Sequence, residues 1–86
     1  MPEISRFFGI VIKMFFDDHN PPHFHASYGE EEALNEIRTL SVFAGHLSPR
    51  VLDLDIEWAT LHQQELMDDW QRGQSKQSLV KIAPLQ

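Results

Sequence analysis

The sequence predicts an α+β fold: a small antiparallel β-meander of three to four strands packed against one long amphipathic helix, with an extended C-terminal tail. Three observations predict it. Short apolar runs in the first half alternate or are β-branched, and clusters of Asp, Asn, Pro and Gly separate them. Ser48-Pro49 then reads as a helix start, and the chain after it keeps a 3.6-residue apolar period up to Gly73. The length of 86 residues suits a single domain, 1–86, which buries only about 60% of the surface its unfolded chain exposes. Six Phe and two Trp compensate, since each aromatic removes roughly 150–250 Å² from water.

The first strand is expected over about 5–16. Ile10, Ile12, Met14 and Phe16 fall on one face, and Val11 and Phe15 on the other, interrupted by Lys13. A strand apolar on both sides is usually covered twice. The helix covers one side, so the other needs the tail or a partner. Asp17 to Pro22 is turn chemistry. A second strand follows over 23–28 and ends at Gly29. Residues 31–37 form a third, with Ala33, Asn35 and Ile37 on one face, a short helix being the alternative. Thr39-Leu40 makes a hairpin turn into a fourth strand over 41–45.

The helix should run over about 49–72, with the Ser48 hydroxyl as its N-cap, Pro49 at its first position and Gly73 as its stop. Val51, Leu52, Leu54, Trp58, Ala59, Leu61, Leu66 and Trp70 make its apolar arc, and Asp55 and His62 sit inside that arc. Residues 73–86 are the tail, an extended segment or edge strand through 79-LVKIAPL-85.

Composition narrows the function. With no cysteine, histidine and carboxylate are the available metal ligands. The apolar N-terminus carries Glu3 and Lys13 and no small-residue cleavage site, and no run reaches the ~20 apolar residues that span a bilayer. The expectation is a cytoplasmic protein with no membrane contact. Thirteen acidic against seven basic residues, a formal charge of −6, disfavour wrapping of nucleic acid and suit docking on a basic protein.

The stretch 16-FDDHNPPHFHASYG-29 packs three histidines, two aspartates and two prolines into fourteen residues. Alternation in a strand places His23, His25 and Ser27 on one face, with Phe24, Ala26 and Tyr28 toward the core. Two imidazoles about 6.5–7 Å apart at Cα can reach one atom. His19, His23 and His25, with Asp18 or Asp17, then form a candidate site for Zn²⁺ or another divalent ion. The catalytic reading makes His23 and His25 an acid–base pair with Lys13 near the phosphate, a small ribonuclease in which a ribose 2′-hydroxyl attacks. A third reading is a stiff turn whose histidines cover the sheet.

His62 lies one turn after Trp58, so stacking on the indole is expected, and Asp55 lies about 10.5 Å away along the axis, too far to orient it. His46 belongs to a loop. Glu30-Glu31-Glu32 and Asp68-Asp69 read as solvated faces.

The opening 2-PEISRFFGIVIKMFFDDHNPPHFHASYGE-30, Ser48-Pro49-Arg50, 57-EWATLHQQEL-66 and 81-KIAPL-85 together resemble a bacterial family known as domain of unknown function 4160, over essentially the whole chain. The residues that match its motif are Asp18, His19, Asn20, Pro21, Pro22, His23 and His25, with Trp58 and His62 in the helix. Asp55 departs from the apolar residue expected there. The resemblance implies a small bacterial protein encoded beside a second small protein, an arrangement like toxin–antitoxin pairs. It therefore implies an interaction protein as one half of such a module. The metal-independent ribonuclease, the metal-dependent hydrolase, the divalent-metal-binding protein and the homo-oligomer stand as alternatives.

Overall fold

A computed structural model describes residues 2–86. Five strands run β1 (Glu3–Phe7), β2 (Ile10–Lys13), β3 (His23–Tyr28), β4 (Glu31–Glu36) and β5 (Val42–His46). They form one antiparallel sheet in sequence order, an up-and-down meander. Two helices, α1 (Pro49–Leu61) and α2 (Gln63–Gln74), follow. The α+β class is as the sequence predicts, and two details differ.

The first difference is that 5–16 is not one strand but the β1–β2 hairpin. Phe7 pairs with Ile10 across a two-residue turn in which Phe8 (φ +49) and Gly9 (φ +82) are both left-handed. This is the I′ pattern that matches strand twist. The pairing runs on to Glu3 opposite Lys13, with a bulge between Glu3 and Ser5. Met14 leaves the strand still buried, whereas Phe16 is 45% exposed.

The second difference is that the long helix breaks at His62, whose backbone (φ −123, ψ 24) leaves helical geometry. Its N–H donates three residues back to the Ala59 carbonyl, a tightened last turn of α1. Gln63 opens α2 by donating to the carbonyls of Ile37 (2.7 Å) and Arg38 (3.0 Å), which ties the new helix to the turn after β4. The break also puts Leu61, expected on the buried arc, into solvent at 66% exposure. His62 packs against Trp58 with ring centroids 5.4 Å apart, though tilted by 41° rather than stacked, and its Nδ1 meets Glu65 at 2.6 Å.

α1 lies on the sheet face that carries Phe7, Ile10, Ile12, Phe24, Ala26 and Ala33, and α2 reaches the start of β3, where Trp70 meets His23. Trp58, fully buried, touches the Phe7 ring (5.3 Å) and the Phe24 ring (5.9 Å) and organises this core. The opposite face stays open: Arg6, Glu32, Ala44 and His46 are exposed, and Val11, Ser27 and Leu34 are half-buried. His46 thus ends β5 rather than sitting in a loop. Gly45 is confined by backbone. At φ +77, a Cβ there would come within 2.2 Å of the Glu32 carbonyl oxygen.

The tail is extended and pinned at three points. Val80 N–H donates to Asp69 Oδ1 (2.9 Å), Ile82 N–H to the Ile4 carbonyl (2.8 Å), and the Trp58 indole N–H to the Ala83 carbonyl (2.8 Å). Asp69 is therefore fully buried, not solvated, and Arg72 pairs with the same oxygen at 2.7 Å. Nor does the Ser48 hydroxyl cap α1: it donates instead to Glu31 Oε2 at 2.6 Å, while Ser48 N–H donates to Glu31 Oε1.

Candidate metal centre

The β2–β3 connection carries the site. Asp17, left-handed at φ +53, turns the chain, the Asn20–Pro21 peptide is cis, and β3 begins at His23. The end of α2 fixes this connection from the side. Asp17 N–H donates to the Gly73 carbonyl (3.3 Å), and the Gln74 side chain donates to the Asp18 carbonyl (3.0 Å).

Within that frame the His23 and His25 rings emerge together, centroids 5.3 Å apart. His23 Nε2 lies 3.0 Å from Asp18 Oδ2, and His25 Nε2 lies 3.5 Å from the same oxygen. One ligand atom from each of Asp18, His23 and His25 lies within 4.8 Å of the others. A tetrahedral zinc ion with bonds near 2.1 Å separates its ligands by about 3.4 Å, so small side-chain shifts, including an opening between Asp18 and His23, would accommodate one.

The far nitrogens decide what the near ones can do. His23 Nδ1 is 2.7 Å from the Pro21 carbonyl, which can only accept, so Nδ1 carries the hydrogen. His25 Nδ1 faces Glu32 Oε2 at 3.3 Å. Both imidazoles thus have an acceptor at Nδ1, the kind of contact that fixes the orientation of metal-ligating histidines. In that tautomer each Nε2 presents a lone pair to a carboxylate oxygen. Two lone pairs aimed at an anion repel unless a proton or a cation sits between them.

Packing holds the rings in place. His23 is 2% exposed, wedged between Trp70 (5.3 Å) and Phe43 (5.4 Å), and His25 receives the Phe15 ring edge-on at 4.6 Å. Burial would raise the Asp18 pKa. The His19 amide, with the His23 and His25 rings when they carry a proton toward Asp18, outweighs burial and holds the carboxyl below its ordinary value.

His19 does not join the three. Its backbone N–H and its Nδ1 both address Asp18 Oδ1, at 2.9 and 3.2 Å, and its ring is 88% exposed. Lys13 stands opposite His25 in the β2–β3 register, on the same sheet face. Asp17 turns outward to Lys76 at 3.4 Å. Two contributors escaped the sequence reading, the Pro21 carbonyl and Glu32. Glu32 is two strands' width from the turn in sequence, yet the β3–β4 register sets it opposite Ser27, diagonal to His25.

Among the described residues no helix is long and apolar enough to cross a membrane. No curated protein and no solved structure matches the chain. One family does, over residues 9–71, which takes in the whole Asp18–His25 segment and leaves out β1 and the tail. The chain belongs to the family described as a domain of unknown function, DUF4160.

Proposed function

We propose that this protein binds a divalent metal ion, with Zn²⁺ the best match, through Asp18 Oδ2, His23 Nε2 and His25 Nε2. The observation that carries the reading is the convergence of two ring nitrogens, each backed by an acceptor at Nδ1, on one carboxylate oxygen. Nitrogen and oxygen donors of this kind suit Zn²⁺ and its neighbours. Three protein ligands leave at least one coordination position open. When bound, such an ion supplies Lewis acidity or a bridge to a further donor.

Metal-free RNA cleavage draws less support from the geometry. His23 is buried and both its nitrogens face protein oxygens, so it has no free edge for a ribose hydroxyl. Docking of a second small protein, as in a toxin–antitoxin-like pair, is a separate reading. The open sheet face with Val11, Leu34 and Ala44 favours it.

The test is titration of untagged protein with Zn²⁺ by calorimetry, followed by melting with and without a chelator. One ion per chain and a raised Tm are expected, both lost in Asp18→Ala and His25→Ala. A wild-type melting temperature indifferent to zinc and to chelator would remove the reading.

A further inference from the structure

We infer a second binding site, independent of the metal reading, that takes a small aromatic monocarboxylate. The site is a hollow where the β1–β2 turn, the end of β3 and the start of α1 come together, lined by Phe8, Ile10, Tyr28, Arg50, Val51 and Leu54. Ile10 and Val51 are buried and Leu54 is half-buried, whereas Phe8, Tyr28 and Arg50 are exposed. An apolar floor thus meets a rim of two rings and one cation. Tyr28 closes β3 and His23 opens it, so the hollow lies about 16 Å from the metal centre at ~3.3 Å per residue.

Size limits the occupant. The hollow measures about 230 Å³. An apolar cavity of about 150 Å³ accepts benzene, so one ring and a short chain fill this one. A helix or strand of a partner is too large for it.

The rim asks for apolar cover. Phe8 stands in a left-handed turn position, φ +49, with 59% of its surface exposed, where Asn or Gly would relieve both the backbone and the wet ring. Tyr28 is 42% exposed, and its ring lies against the other residue of that turn: a Cβ on Gly9 would meet Tyr28 Cε1 at 3.1 Å. Folding alone does not account for two large rings left in water side by side. A ligand ring laid between them does.

Charge selects an acid. Arg6 and Arg72 each hold a carboxylate, at 2.8 and 2.7 Å, but Arg50 pairs with none among the described residues. Glu31, just past Tyr28 in the chain, is taken by the Ser48 hydroxyl and amide. A guanidinium left over beside an apolar hollow suits a carboxylate, which it can grip with two parallel N–H donors. The chain's formal charge of −6 disfavours a second negative charge on the ligand.

The experiment is an amide-resolved NMR titration of the full chain with 3-phenylpropionate, with 3-phenylpropanamide and with acetate. The phenyl acid should move the amides of Phe8 to Ile10, Tyr28 and residues 50–54 along one saturating curve, with a Kd on the order of 1 mM for a ligand of about eleven heavy atoms. The uncharged amide should bind about three- to fivefold more weakly, and acetate should leave these signals in place. Arg50→Gln should erase the preference for acid over amide. Phe8→Asn, which relieves the turn and so keeps the fold, should weaken both ligands about three- to tenfold. No saturating shift up to about 10 mM acid overturns the inference. So does an acid preference that survives Arg50→Gln, or Phe8→Asn that binds like wild type. Acetate that moves the same amides as strongly reduces the site to a bare anion contact and overturns it as well.

Discussion

Asp55 and Asn35 meet across the interface between α1 and the sheet, both fully buried, and neither side chain closes a hydrogen bond with any partner. Burial pushes the Asp55 carboxyl up to about 7 from an ordinary 3.8, against the opposing pull of the Asn35 side chain. Below pH 4 the group is protonated in both the folded and the unfolded chain and affects stability little. Between pH 4 and 7 the folded state binds the extra proton, so stability falls as pH rises, and above 7 the loss is complete. Its size is about 4 kcal/mol, from some three pKa units at 1.36 kcal/mol each. Asp55→Asn should flatten that slope and raise the urea midpoint at pH 8 while changing little at pH 4. An undiminished slope in the variant would point to another titrating group.

Glu32 meets His25 at Nδ1, 3.3 Å away, and would act on a bound ion only through that ring. Glu32→Gln keeps the shape and removes the charge behind the ring. Zinc affinity should fall about 10- to 100-fold, the range for outer partners of ligating histidines, with the apo melting temperature within a degree or two. Competition against a chelating dye reads the difference.

Phe8 occupies a left-handed turn position at φ +49 with its ring 59% exposed, where Asn is preferred. Phe8→Asn should stabilise the hairpin by roughly 0.5–1 kcal/mol, visible as a shift in denaturant midpoint without a change in slope.

Asp69 joins α2 to the tail through Arg72 and the Val80 amide. Asp69→Ala strands both partners and should destabilise by about 2–4 kcal/mol. Hydrogen exchange at Val80 and Ile82 should accelerate more than exchange in β3. Equal acceleration everywhere would mean that the tail is not a separately held unit.

The α+β class, the helix start and the strand at 23–28 were legible because each has a local signal: a period of two, a Ser-Pro step, a period of 3.6. The β1–β2 turn was hidden because Phe-Gly lies inside a continuous apolar run and carries no Asn or Asp. The break at His62 was hidden for a related reason, since no Pro or Gly marks it and its cause is Gln63 binding distant carbonyls. At the site, alternation alone put His23 and His25 side by side. It could not choose Asp18 over Asp17, which depends on the handedness of one turn residue, nor find Glu32, which depends on strand register. Asp69 looked like surface because the tail that buries it lies eleven residues further on.

The grip of Gly73 and Gln74 on the backbone at Asp17 and Asp18 makes the last turn of α2 a latch for the carboxylate. Helix ends ordinarily unravel first. Here unravelling would release the one oxygen that both imidazoles address, so the firmness of a remote helical terminus sets how well the three donors stay aimed.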